Sequence, residues 1–213
     1  SWGGLGVRDR DDGNFQSGWV LFDTGVREES HGDHAHWDYQ TRPSVKLSKL
    51  DESQGNPAHL YVYEKDFFLA NDRLNGYTRF DVSRFDRDNP NREGIAFHQG
   101  GGNHITLAVD RGKVGYSSWI DGGGPNAGRV DVTEILPSGN TQIAYSFALP
   151  SANIHGATEN QSKVFFAPAD GICWVESDPN LKQREEKIPI HHIDLGTAPE
   201  TDKPLRTGAF KTH

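Results

Sequence analysis

Ten histidines and a single cysteine mark this chain, and three of the histidines fall in the six-residue stretch His31-Gly-Asp-His34-Ala-His36. Neutral imidazole is the commonest protein ligand for zinc and related transition metals, and a carboxylate such as Asp33 either ligates directly or orients a neighbouring ring. His34 and His36 are two residues apart, so an extended backbone points both rings to one face, where they can grip a single ion. With one thiol in the whole chain, any metal site here is built from nitrogen and oxygen donors. Zn²⁺ fits such a set best, in tetrahedral geometry; Cu²⁺ and Ni²⁺ are also acceptable to it.

Three further histidines stand at the head of a repeated layout. His59 opens Asn56-Pro-Ala-His59-Leu-Tyr-Val-Tyr63, followed by Lys65–Ala70 and Gly76–Val82. His104 opens Gly102–Val109, followed by Lys113–Tyr116 and Gly128–Val132. His155 opens Asn153–Thr158, followed by Lys163–Ala167 and Asp170–Val175. Each unit reads as short β-type runs separated by polar turns, and the leading histidines are 45 and then 51 residues apart. Short strands at a period of about 40–50 residues are the pattern of β-propeller blades. The first strand of each blade lines the central axis, so a histidine repeated at that place would converge there with its counterparts. A β-sandwich with accidental spacing is the alternative architecture.

The expected fold is therefore all-β, a β-propeller with about four blades in this chain. Trp19–Phe22 and Ser44–Leu47 supply strands of a first blade, with Gly3–Gly18 as a turn or partial blade. Lys187–His192 reads as the outer strand of the third unit, and Leu195–His213 leads toward another. Four-bladed closure is unusual, so residues 1–213 are read as one propeller domain or part of one, the N-terminal portion of a longer chain forming a seven- or eight-bladed ring, or a half completed by self-association. The absence of methionine points the same way, to a processed or trimmed chain.

At 213 residues the chain is long enough for a substantial core. A net charge of −8 and a pI near 5.6 argue against a nucleic-acid partner. No apolar run approaches the length of a membrane span, which argues against a membrane partner. Cys173, inside Gly171-Ile-Cys-Trp-Val175, is expected to be a buried apolar residue. The runs Gly100–Gly102 and Gly122–Gly124 precede neither a helix signal nor Lys-Ser/Thr, so they are turns rather than phosphate loops. The charged stretches Asp9–Asp12 and Asp81–Asp88 are read as solvated loops. His191 and His192 are expected to face solvent, and His98 and His213 to lie at the surface.

The strings HGDHAHW (31–37), NPAH (56–59), GNHITLAV (102–109) and PSANIHGAT (150–158), with ADGICWV beyond, resemble periplasmic zinc metallochaperones of the AztD type, across about residues 19–196. The resemblance implies a β-propeller that binds zinc on histidines near its axis and passes it to the solute-binding protein of a zinc ABC importer, in the periplasm or outside the cell. It carries over to His31, His34, His36, His59, His104 and His155, with Asp33 inside the cluster. Two departures stand out. Members of the family tend to pair histidines where this chain has Asn103-His104, and to place an acidic residue directly after the third His-Gly, where this chain has Ala157 and then Glu159. A carrier needs no catalytic acid–base pair, so the chain is expected not to be an enzyme. The alternatives are a metallohydrolase or lyase using Glu159 or Asp33 as base, and a propeller scaffold whose histidines are structural.

Overall fold

The computed structural model describes residues 1–9, 17–86, 88, 90–183 and 187–211. Asp11, Asp12 and His213 lie outside them. Among the described residues the chain is all-β, with helix limited to three single 3₁₀ turns. Among the described residues no helix is long and apolar enough to cross a membrane.

The strands run β1 (Trp2–Val7), β2 (Gly18–Asp23), β3 (Val26–Ser30), β4 (Ala35–Tyr39), β5 (Ser44–Leu50), β6 (Pro57–Tyr63), β7 (Asp66–Asn71), β8 (Gly76–Phe80) and β9 (Ile95–Gln99). They continue as β10 (Leu107–Asp110), β11 (Val114–Ser118), β12 (Arg129–Glu134), β13 (Tyr145–Ala148), β14 (Ala157–Asn160), β15 (Lys163–Phe166), β16 (Ile172–Glu176) and β17 (His191–Ile193). Three sheets are four-stranded meanders in chain order, β6–β9, β10–β13 and β14–β17, and a three-stranded sheet, β1-β2-β5, precedes them. These are four blades of a β-propeller. The β3–β4 hairpin is inserted into the first blade between β2 and β5 and pairs only with itself.

Turn chemistry sets the blade edges. The β14–β15 hairpin turns on Gln161 and Ser162, both in the left-handed region at φ 51° and 62°, the two-residue geometry whose twist suits adjoining strands. The other inner hairpins use Glu64 and the Arg111-Gly112 pair in the same region.

Each face of a blade packs on the next blade, so the cores lie between sheets. Trp19 and Leu21 of the first blade meet Leu69 and Phe80 of the second. Phe68 and Tyr77, on the other face of the second blade, meet Leu107 and Val109 of the third. Val114, Tyr116 and Val132 meet Val164, Phe166 and Cys173 across the last interface. Strand alternation therefore sends Phe67 and Leu69 one way and Phe68 the other, and burial on both faces explains the unbroken apolar run there. Cys173 is fully buried, and burial pushes its thiol up to about 11.

Several expectations need correction. The second and third blades each carry a fourth strand, β9 and β13, beyond the three runs read from the sequence, and the first strand of the second unit starts at Leu107 rather than Gly102. The outer strand of the third unit spans only His191–Ile193. His98 is not at the surface. It is wholly buried in β9, its ring stacked on Tyr77 at 5.5 Å between centroids, with Nε2 3.0 Å from the Leu136 carbonyl. Burial lowers its pKa to about 4, which keeps the ring neutral. His191 and His192 are exposed as expected; His191 stacks on Trp174 with centroids 3.8 Å apart.

Candidate metal centre

The inner strands β6, β10 and β14 run side by side at the axis, and each brings a histidine to the same end. His59 lies within β6 at an irregularity where pairing with β7 slips between Pro57 and Leu60. His104 and His155 lie just before β10 and β14. All three rings are partly buried. Nε2 of His59 is 2.9 Å from Nε2 of His104, and the ring centroids of His104 and His155 are 5.1 Å apart, those of His59 and His155 6.3 Å.

The hydrogen-bond acceptors around these rings fix where their protons sit. Asp72 Oδ2 lies 3.3 Å from Nδ1 of His104, and the Gly208 carbonyl lies 3.4 Å from Nδ1 of His155. A carboxylate and a carbonyl can only accept, so both Nδ1 atoms carry the hydrogen and each Nε2 presents a lone pair. The short His59–His104 contact is then a donation from His59 Nε2–H into the His104 lone pair. A metal ion in place of that proton would draw on the same lone pair. Burial, and secondarily the neighbouring His104, depress the His59 pKa, so this ring favours its neutral, ligand-ready form.

Among the described residues no group of three or more His, Cys, Asp or Glu side chains already stands in ligating geometry around one point. For the axial rings the reason is the hydrogen bond. Two nitrogens on one tetrahedral zinc lie about 3.3 Å apart, given Zn–N near 2.0–2.1 Å. The His59–His104 pair at 2.9 Å is therefore slightly too close, and the His155 ring too far.

The second histidine group is at the tip of the β3–β4 hairpin. His31 N–H donates to the His34 carbonyl at 2.9 Å, closing a loop in which Gly32 adopts φ 90°. The His34 and His36 centroids are 5.0 Å apart, and His31 lies 5.6 and 5.1 Å from them. Asp33 Oδ1 accepts from Nδ1 of His34 at 2.7 Å. The whole tip is exposed, so this carboxylate orients its ring in water and contributes little energy.

Sequence reasoning did not find Asp72. It sits in the 3₁₀ turn Asp72–Leu74, 7 % exposed, and also accepts from the Ile105 N–H at 2.9 Å. Its setting, Asn71-Asp-Arg-Leu-Asn75, reads as an ordinary polar turn, and no spacing ties it to His104. Gly208 was equally invisible: it lies beside His155 because the segment after β17 returns along β14, where Arg206 donates to the Asn153 carbonyl at 3.3 Å.

No protein-family profile matches the chain, and no curated protein matches it by sequence. Solved structures do. The structure of apo AztD from Citrobacter koseri matches with a TM-score of 0.56 at 13 % identity, over 90 % of this chain and 47 % of that one. A crystal structure of Citrobacter koseri AztD matches with a TM-score of 0.57 at 14 % identity, over the same shares. The chain thus spans about half the length of the AztD structures it matches, and its fold is theirs. At this identity the likeness is one of fold, and it is to structures of the protein type whose histidine-bearing strings this chain resembles.

Proposed function

We propose that this chain is a zinc carrier of the AztD kind, holding one exchangeable Zn²⁺ on His59, His104 and His155 at the blade axis. It would act in the periplasm or outside the cell and deliver zinc to the solute-binding protein of an ABC importer. The hairpin ligands His31, His34 and His36, with Asp33, would form a second, weaker and more accessible site. Residues 1–213 would be one contiguous run of blades within a larger ring.

The observation that supports this most directly is the 2.9 Å approach of two Nε2 atoms from different blades, with a third imidazole beside them. Three neutral nitrogen donors with a position left over suit an ion that must leave again; a closed four-ligand structural site would retain it. Cu²⁺ and Ni²⁺ would compete for the same donors, so supply rather than affinity would select zinc.

Zinc titration against a competing chelator, on the native chain and on His59→Ala and His104→Ala variants, tests the assignment. One tight site that disappears in either variant, with no hydrolytic turnover by the loaded chain, is expected. Equal affinity in all three proteins would refute it, and turnover lost in Glu159→Gln would transfer the site to a metallohydrolase.

A further inference from the structure

His104 is reached through a loop, Gly100 to Asn103, in which Gly101 and Asn103 take φ 76° and 63°. No strand ladder holds such a backbone, so other contacts must. The Gly102 N–H donates to the Ser118 carbonyl at 3.2 Å, and the His104 N–H donates to the Gly102 carbonyl at 2.8 Å. The Trp119 ring covers Gly102 so closely that a Cβ there would stand 2.3 Å from it. Trp119 Nε1 and the Gly101 N–H both donate to Asp131 Oδ2, at 2.8 and 2.9 Å. Asp131 is wholly buried, and Arg129 Nε and Ser146 Oγ, each at 2.7 Å, occupy its other oxygen. A buried carboxylate supplied with donors on both oxygens is a firm anchor.

From this anchor the turn between β11 and β12 reaches back toward the axis. Asp121 Oδ1 accepts from Asn103 Nδ2 at 2.6 Å, on the residue directly before His104. The left-handed backbone at that place is one asparagine adopts more readily than most residues. The next residue, Gly122, lies against Asn153, two residues before His155: a Cβ on Gly122 would stand 2.8 Å from Asn153 Oδ1. Asn153 is likewise left-handed, at φ 55°. One glycine-rich turn thus touches the chain just ahead of two histidines that belong to different blades.

We propose that Asn103 and Asp121 are positioning residues of the axial centre, a clasp that holds the His104 ring at its distance from His59 and His155. Asp72 fixes the tautomer of that ring from one side, and the clasp fixes where its backbone stands from the other. Asn103 is exposed, and the buried contacts of Asp131 keep the blade together without it. Opening the clasp therefore moves the ring and leaves the fold intact. The effect on zinc rests on the histidine assignment made above; the placement of the ring does not.

Four variants separate these points: Asp121→Ala, Asn103→Ala, the two combined, and Asp121→Asn, which removes the charge but keeps a carbonyl acceptor for Asn103. Nitrogen-15 NMR of the metal-free chain reads the His104 ring directly. The native ring should show one tautomer, protonated at Nδ1. Asp121→Ala and Asn103→Ala should each shift it toward a mixture, the combined change should add nothing further, and Asp121→Asn should restore the native signal. Zinc affinity, read by chelator competition, should fall about tenfold in the alanine variants, the lower end of what outer partners of a metal ligand set. It should recover in Asp121→Asn, with the melting temperature unchanged throughout. A native His104 signal in Asp121→Ala overturns the clasp. So does an equal loss of zinc in Asp121→Asn and Asp121→Ala, which marks an effect of charge alone. A displaced ring in a chain whose zinc affinity is indifferent to His104→Ala upholds the clasp and removes the zinc centre instead.

Discussion

Asp72 and His104 form a carboxylate–imidazole pair at 3.3 Å, on the ring nitrogen opposite the one that meets His59. The carboxylate fixes both the tautomer and the aim of the ring, and it is itself anchored by the Ile105 N–H. Outer partners of this kind commonly set metal affinity by 10–100-fold. Asp72→Asn should therefore weaken zinc binding by about that factor while leaving stoichiometry unchanged, as read by chelator competition. Equal affinity in the variant would show that His104 needs no orienter.

The hairpin and the axis should behave as independent sites. The β3–β4 pair forms its own two-stranded sheet, so changes at its tip do not propagate into blade packing. His34→Ala/His36→Ala should lower the number of bound zinc ions by one, with the axial affinity and the melting temperature unchanged. Calorimetric titration and thermal unfolding on the same sample check both. Loss of tight binding in this variant would place the principal site at the hairpin.

Buried His98 makes the fold sensitive to acid. Its ring resists protonation until about pH 4, whereas an unfolded histidine takes up a proton near 6.5. The unfolded state therefore binds more protons in that window, and stability is lost as the pH falls through it, by about 3 kcal/mol in total. Denaturant unfolding of the native chain and of His98→Phe at pH 7 and pH 4.5 measures the share due to this ring. The variant should show a distinctly shallower decline; identical slopes would show that other groups govern acid stability.

At Gly115 of the third blade the missing side chain leaves room for Tyr77 of the second. A Cβ there would stand 2.1 Å from the Tyr77 hydroxyl oxygen, and Tyr77 is wholly buried against His98. Gly115→Ala should destabilise the chain by about 1–3 kcal/mol through overpacking. Gly123→Ala, where a Cβ would meet nothing within 4 Å, is the matched control.

The blade count and the meeting of three histidines were legible because both depend on a long period. Strand pairing fixes register locally, so His59, His104 and His155 could be brought together from their positions alone. What escaped depends on contacts between units. β13 is Tyr-Ser-Phe-Ala, too short to announce itself. His98 follows Ala96-Phe97 and precedes three glycines, so it resembles a loop residue; only the neighbouring blade, through Leu136, makes it interior. Asp72 gains its role from a histidine 32 residues away, and Gly208 from one 53 away. The hairpin cluster was legible as chemistry, whereas its separation from the blades was not, because nothing in Val26–Tyr39 says that the sheet beside it will leave it unpaired.

Because His59, His104 and His155 belong to three successive blades, an ion bound between them would also be a rivet. Occupancy would tighten the packing of neighbouring sheets, and by thermodynamic reciprocity anything that prises those sheets apart must loosen the ion. A recipient that grips one blade and tilts it slightly would then unload the cargo without competing for a single ligand.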